Sequence, residues 1–319
     1  LIVRSVAFSA LAQDSRDTAF LTARDAFRAG DRNKLERAAA QVGSHELAPY
    51  VENYQLRMFM DQGNAEALRD FFSRYEKSYV VEKLRADWIR WLGKRSTWND
   101  VEAEYANMIA PEPDVTCYNQ KARLARNDLS PLDEAQKLWL TQLEPAEPCR
   151  TVFDALVANQ RVTSEEVWAR AHRQFEANRP GQAKVTLSYL PDNQIPDNRA
   201  IDSAVNSPMA YLVRQPANWS TGRAGREVAA LAIQRIAMND PRVAADELEK
   251  IANRLQEPER QWAWSQVGLH AAKKHLPEAV NWNNKTGKLI LSDEGYQWKV
   301  RAALRAQEWG VVHDTIQAM

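Results

Sequence analysis

Residues 221–255 read TGRAGREVAALAIQRIAMNDPRVAADELEKIANRL, and they contain the clearest helical pattern in the chain. After the two glycines, apolar residues recur at helical spacing and extend past a single stripe, so we expect a helix that neighbours cover on more than one side. Asp240 can cap a second helix, and Pro241 suits its first turn. In that second helix one narrow apolar stripe predicts a surface position: Ala244, Leu248, Ile251 and Leu255.

A broad-faced helix followed by a stripe-faced helix predicts an antiparallel αα-hairpin, which needs similar hairpins on each side to bury its apolar area. Two distant pieces share a helix end, a polar turn and an apolar restart, AFRAGDRNKL at 26–35 and ALRAQEWGVV at 303–312, and WLGKRSTWNDV at 91–101 matches them more loosely. Strand patterns and hairpin-turn dipeptides are nearly absent. We therefore predict an all-α superhelix (α-solenoid) of stacked antiparallel helical hairpins.

Composition excludes two classes of protein. The 319 residues include 42 basic and 42 acidic side chains, interleaved along the chain, which argues against a dedicated nucleic-acid-binding protein. No apolar run approaches the roughly 18 residues that a transmembrane helix needs. We expect no nucleic-acid partner and no transmembrane segment.

The two ends of the chain differ from its middle. Residues 1–13 resemble the tail of a secretory signal peptide, with an ordinary disordered terminus as the alternative. Residues 14–319 are predicted to form one helical domain, and its last apolar helix has no capping repeat, so we expect the domain to continue beyond Met319. The proline-rich stretch 180–216 is interpreted as longer connections between helices rather than a domain boundary.

No motif indicates catalysis, a metal or a cofactor. The Gly222–Gly225 segment is interpreted as a helix-entry loop, and the five histidines are predicted to lie on the surface. His270 and His275 are five residues apart and so do not share a helical face as metal ligands would. The carboxylates with the clearest helical context are predicted to be solvated and not to act as general acids: Glu227, Asp246 and Glu247.

Aromatic and cysteine residues leave alternatives open. Trp88, Trp91 and Trp98 fit either wedges between stacked helices or platforms for sugar rings, and the helical context favours wedges. Cys117 and Cys149 fit either two buried thiols or a disulfide. In an oxidising compartment such a bridge would close a loop of about 32 residues and contribute roughly 3.5–4 kcal/mol in the chain-entropy description.

The segment CYNQKARLARNDLSPLDEAQKLWLTQLEPAEPCRTVFDAL, residues 117–156, resembles the N-terminal superhelix of soluble lytic murein transglycosylases. GREVAALAIQRIAMNDP at 225–241 and EGYQWKVRAALRAQEWGVVHDTI at 294–316 resemble later helices of that domain, in the same order. The resemblance implies an arc or ring of helices and a disulfide between Cys117 and Cys149. It also implies a periplasmic protein, secreted through a cleaved signal peptide.

Members of this family cleave peptidoglycan between N-acetylmuramic acid and N-acetylglucosamine, with a 1,6-anhydro product. Their catalytic Glu lies in a lysozyme-like domain whose motifs are missing here, so the resemblance implies a non-catalytic, inactive region that supports that domain and helps hold glycan. The expected partners are glycan strands, the catalytic domain and other cell-wall enzymes. The main alternative is a free-standing tetratricopeptide-like scaffold that binds a protein or peptide, and a third is an (α/α) toroid carbohydrate enzyme.

Overall fold

The computed structural model describes residues 15–319, and the predicted signal-peptide-like segment lies outside them. Within this range the chain forms nineteen α-helices and three short 3-10 helices, with no β-strand. The all-α prediction is therefore confirmed. Among these residues no helix is both long and apolar enough to cross a bilayer.

The described chain divides into two compact units. The first contains the described residues up to Lys137 together with Pro145–Asn159, and the second contains Leu138–Glu144 and Gln160–Met319. The helices of the first unit are α1 Ser15–Ala29, α2 Arg32–Val42, α3 Ala48–Met58, α4 Ala65–Arg74, α5 Tyr79–Lys94, α6 Trp98–Tyr105, α7 Pro113–Ala125, α8 Pro131–Leu138 and α9 Glu147–Ala158. Only the last residue of α8, Leu138, is counted with the second unit.

The second unit contains ten helices. They are α10 Ser164–Glu176, α11 Pro180–Leu187, α12 Asn198–Asn206, α13 Pro208–Val213, α14 Arg223–Asn239, α15 Pro241–Ile251, α16 Glu257–Lys273, α17 Ala279–Asn284, α18 Asp293–Arg305 and α19 Trp309–Gln317. The proline-rich stretch forms the short helices α11 to α13, and the division between units does not fall within it.

The stretch 221–255 forms the two predicted helices. In α14 every residue from Arg226 to Gln234 is buried, and α12, α13, α15 and α16 pack around it. Helix α15 begins after Asp240, whose carboxylate accepts hydrogen bonds from the next turn, and it buries Ala244 and Leu248 on one side only. Helix α14, with apolar residues over a broad surface, is covered on all sides, whereas α15, with one narrow apolar stripe, is covered on one side.

The three similar sequence pieces share one backbone turn. In each piece the chain leaves a helix through a residue in the left-handed conformation, Gly30, Ser96 or Gln307, with φ of 70°, 57° and 59°. The N–H of the residue that follows donates to a carbonyl five residues back, at 2.9–3.2 Å, which is the Schellman pattern of helix ends. The same turn recurs at Asn127, Asn178 and His275. The predicted structural repeat is thus confirmed as a repeated helix end.

Tight packing and a covalent link hold α5, α7 and α9 of the first unit. Trp88 is 2 % exposed and stacks on Trp91, with ring centroids 4.6 Å apart. A disulfide joins Cys117 in α7 to Cys149 in α9 across a Cα–Cα distance of 4.9 Å, and both residues are fully buried. The structure thus shows the cysteine pair that the family resemblance implies.

Gly30 provides a test of the turn. Its φ is positive and an added Cβ would meet no atom within 4 Å, so Gly30→Ala introduces backbone strain without a clash. We expect the free energy of unfolding to fall by about 1 kcal/mol. Gly181→Ala is the matched control, since Gly181 also has open space but lies in the first turn of α11 without positive φ. Urea unfolding should show the control unchanged or stabilised. An equal fall in the free energy of unfolding of both variants would contradict the idea that the left-handed turn at position 30 requires glycine.

Candidate functional site

A buried carboxylate stands at the centre of a polar cluster in the second unit. Glu227 of α14 is 2 % exposed, and its Oε2 lies 2.7 Å from Nε2 of His172 on α10. Its Oε1 accepts a hydrogen bond from Nε of Arg223, one turn earlier, at 3.2 Å. The guanidinium of Arg223 also contacts the exposed Glu165 at 3.0 Å. Glu227 therefore ties α10 to α14 and anchors a cation at the surface.

A second buried ion pair links α14 to α16. Nε of Arg226 donates to Oε1 of Glu259 at 3.0 Å, and both side chains are at least nine-tenths buried. Arg226 also donates to the carbonyl of Ser220, which holds the loop before α14. Charges buried to this extent need partners, because an unpaired ion loses its hydration without compensation.

A third carboxylate joins α10 to α16. Oε1 of Glu176 accepts hydrogen bonds from Nε1 of Trp262 at 3.1 Å and from Nε2 of Gln266 at 2.8 Å. The face of Trp262 stacks on His172 with a centroid distance of 4.0 Å and an interplanar angle of 6°. The stack fixes the orientation of the imidazole that meets Glu227.

Aromatic and charged side chains border a cavity of about 290 Å³ beside this cluster. We call it the polar cavity, and its principal lining residues are Glu165, Trp168, His172, Arg223, Glu259 and Leu289. The guanidinium of Arg223 lies 5.6 Å from the Trp168 ring centroid, within the range of a cation–π contact. A smaller cavity of about 50 Å³ adjoins His172 and Trp262 and is bordered by Leu289–Leu291.

Two residues that line the polar cavity each carry a buried polar atom with no hydrogen-bond partner among residues 15–319. These atoms are Oε2 of Glu259, an acceptor, and Nε1 of Trp168, a donor. Most buried polar atoms in proteins are hydrogen-bonded, so these two atoms are exceptions in the packing around α14. Larger cavities exist in the same unit, and the one of about 500 Å³ beside Trp298 is lined mainly by apolar atoms.

The polar cavity brings together groups that can recognise a polar ligand. The neighbouring carboxylates of Glu227 and Glu259 each pair with an arginine, at 3.2 and 3.0 Å. Carboxylates, an arginine and aromatic faces are suited to hydroxyl and amide groups. Within the described residues no group of three or more His, Cys, Asp or Glu is placed to hold a metal ion.

Three sequence expectations need correction here. Glu227 was expected to be solvated but is buried, because α10 and α16 cover the sides of α14 that an isolated helix would expose. His172 and His270 were expected at the surface, yet His172 lies within the cluster and burial lowers the pKa of His270 to about 4. The sequence of α14 contains a sign of this burial, because its apolar residues extend beyond a single stripe of the helix. A helix that neighbours cover on all sides buries its charged residues as well.

The three tryptophans of the first unit act as wedges between helices, as the sequence context favours. Trp88 is buried in the core of the first unit, and Trp91 and Trp98 pack against that core while partly buried. Asp246 is exposed as predicted, and Glu247 pairs with Lys250 at 2.6 Å. The prediction that no residue of this chain is catalytic stays a prediction.

The helical hairpins and the buried polar cluster define an all-helical repeat protein. Its fold matches lytic transglycosylase Slt of Pseudomonas aeruginosa, in an inactive mutant, with a TM-score of 0.64 and 20 % identity. It also matches the 70 kDa soluble lytic transglycosylase of Escherichia coli, with a TM-score of 0.59 and 17 % identity. A 70 kDa soluble lytic transglycosylase in complex with bulgecin A matches with a TM-score of 0.59 and 18 % identity.

These matches cover 94–97 % of this chain but only 49–50 % of the solved chains. The chain thus spans about half the length of the structures that it matches, and it corresponds to their N-terminal helical region. The likeness predicted from the sequence is confirmed at the level of the fold. No family model and no curated protein matches the chain.

Glu227→Ala tests the buried cluster. The variant removes the partner of His172 and one partner of Arg223, and we expect the free energy of unfolding to fall by about 2–3 kcal/mol. Glu165→Ala is the matched control, because it removes the other carboxylate on Arg223 but at a side chain that is 75 % exposed. Denaturant unfolding should place the control within about 0.5 kcal/mol of the wild type. A similar loss of unfolding free energy in both variants would show that burial does not strengthen the contribution of the Glu227 contacts to stability.

His270 predicts a pH dependence of stability. Burial in α16, reinforced by Lys273, lowers its pKa from 6.5 to about 4, so the unfolded chain binds a proton in this window and the folded chain does not. The free energy of unfolding should therefore fall by up to about 3 kcal/mol as the pH drops from about 6.5 to about 4. His270→Gln should remove this part of the slope, whereas the exposed His313→Gln should leave it. Unfolding curves at several pH values would refute the effect if His270→Gln kept the wild-type slope.

Proposed function

We propose that this chain is the non-catalytic helical region of a periplasmic soluble lytic murein transglycosylase. The observation that carries the proposal is the fold likeness to such enzymes over 94–97 % of the chain. In the proposal a lysozyme-like domain outside these 319 residues supplies the catalytic Glu and cleaves peptidoglycan with a 1,6-anhydro product. The helical region supports that domain and helps hold the glycan strand.

The polar cavity supports a role in holding substrate. Arg223 and Glu165 present charged groups at its edge, and Trp168 and His172 supply ring faces. Glycan strands expose hydroxyl and acetamido groups on rings with apolar faces, and this combination of polar and aromatic groups suits them.

The pairing of the buried carboxylates supports an inactive isolated chain. A general acid must carry a proton that it can release to the leaving oxygen, and its pKa is usually raised in an apolar setting. Glu227 and Glu259 instead contact guanidinium groups at 3.2 and 3.0 Å. Neither carboxylate thus stands in the apolar setting typical of a general acid.

Incubation with intact peptidoglycan sacculi tests both parts of the proposal. We expect the purified chain to release no 1,6-anhydro-muropeptides, as measured by mass spectrometry of the soluble fraction, and to sediment with the sacculi. Arg223→Gln should reduce sedimentation several-fold, while Arg242→Gln, which removes an exposed arginine paired with Glu278 on another face of the unit, should not. Thermal unfolding of both variants checks that they are folded.

Each result distinguishes a different function. Anhydro products would place a catalytic acid within these residues and overturn the inactive assignment. Sedimentation without products supports a substrate-holding helical region. Neither products nor sedimentation would contradict glycan holding and move the proposal to the protein-binding scaffold.

A further inference from the structure

An open cavity of about 500 Å³ lies where the end of α16, the start of α17 and the second half of α18 meet. We call it the apolar cavity, and Leu276, Val280 and Trp298 supply its larger apolar side chains. The helices also contribute Ala272 and Ala302 to its wall. Because alanine side chains reach only a short way from the backbone, the three helices leave space between them.

Two arginines of α18 border this cavity, Arg301 and Arg305, and both are exposed. The guanidinium of Arg301 lies 4.9 Å from the ring centroid of Trp298. Nη1 of Arg305 donates to the carbonyl oxygen of His275 at 3.5 Å. Since Trp298 and His275 line the cavity themselves, these contacts place both guanidinium groups at its border.

Neither arginine forms an ion pair within residues 15–319, because the carboxylates that lie closest in sequence to the cavity walls have other partners. Glu278 follows the lining residue Pro277, and it pairs with Arg242 at 2.8 Å. Glu294, at the start of α18, pairs with Lys273 at 2.7 Å. The border of the apolar cavity thus carries positive charge that this part of the chain does not neutralise.

The end of α18 accounts for only one of the two arginines. Arg305 lies in the last turn, where a cation gains from the partial negative charge of a helix C-terminus. Arg301 lies one turn earlier, beyond the range of that effect. Like charges four residues apart on a helix also repel each other, so the pair would gain from an anionic partner.

We propose that the apolar cavity docks an acidic amphipathic helix of a partner polypeptide. Aliphatic side chains of the helix enter the cavity, and two carboxylates one turn apart face Arg301 and Arg305. The four-residue spacing of the arginines is also the spacing of side chains on one face of a helix, so two carboxylates can meet both cations. Apolar anchors in a groove with charges at its border are typical of helix recognition.

Charge and size together favour this partner over simpler ligands. A neutral apolar molecule would leave the repulsion between the arginines in place, and a fatty acid would bring one carboxylate to two cations. A volume of about 500 Å³ admits a few side chains but not a whole helix. The rest of the partner would lie on the surface and cover Leu304, which is 44 % exposed and lines the cavity.

Fluorescence anisotropy with labelled peptides tests the docking site on the full chain. The probe is a helical peptide of about 16 residues with leucine and glutamate on one face. One comparison peptide has glutamine at every glutamate, and another has alanine at every leucine. We expect each change to weaken binding by about 3- to 20-fold, since one removes the ion pairs and the other the apolar anchors.

The double variant Arg301→Gln/Arg305→Gln should weaken binding of the acidic peptide by about 3- to 20-fold and leave binding of the glutamine peptide unchanged. The matched control is Arg199→Gln/Arg214→Gln. Both control arginines are exposed residues of the same unit and lie outside the cavity. The control has the same net charge as the double variant, so a general effect of charge would appear in both.

Ala302→Leu tests the apolar half of the site, because the larger side chain fills the cavity and leaves both arginines in place. It should weaken binding of the acidic peptide and of the glutamine peptide alike. Thermal unfolding of each variant checks that the chain is folded.

Two sets of results would overturn the docking site. The first is equal affinity for the acidic and glutamine peptides, or an equal loss in the two double variants, or no binding of any peptide. The second is binding of decanoate without binding of the acidic peptide, which would assign the cavity to a fatty acid. Sedimentation with sacculi tests the proposed function separately, so a failure of the docking site leaves that result unaffected.

Discussion

The covering of α14 on all sides is the constraint on which the second unit depends. This helix buries every residue from Arg226 to Gln234, so its polar side chains cannot turn to water and must find partners on neighbouring helices. Glu227 meets α10 through His172, and Arg226 meets α16 through Glu259. The ion pairs are therefore a consequence of burial, and they specify which helix lies on which side.

The polar cavity follows from the same constraint. Helices that pack through apolar side chains alone interdigitate and leave little space. Around α14 the contacts are made partly by guanidinium, carboxylate, imidazole and indole groups, and their hydrogen bonds link α10 to α14 and α10 to α16. Glu259 and Trp168 line the cavity, and each keeps one buried atom without a hydrogen-bond partner among the described residues. The polar cavity thus lies where the buried helix carries its charges.

The first unit holds its helices together with a disulfide and aromatic packing. A disulfide links α7 to α9, and the Trp88 and Trp91 stack fills the space beside α5. The same Schellman turn ends α1, α5 and α7 in the first unit and α10, α16 and α18 in the second, at glycine in one case and at polar residues in the others. The repeat is therefore one of backbone conformation, which several residue types can adopt, and this explains why no fixed sequence consensus accompanies it.

Helical periodicity and helix-end residues act over a few neighbouring positions, so the sequence alone predicts the helical class, the two helices of 221–255 and the repeated turn. It also carried the likeness to lytic transglycosylases, through segments such as 117–156, which the structural matches support. The burial of Glu227, His172 and Trp168 follows from tertiary contacts alone. Their burial depends on helices more than 30 residues away in sequence, and local periodicity contains no information about which of those helices cover them.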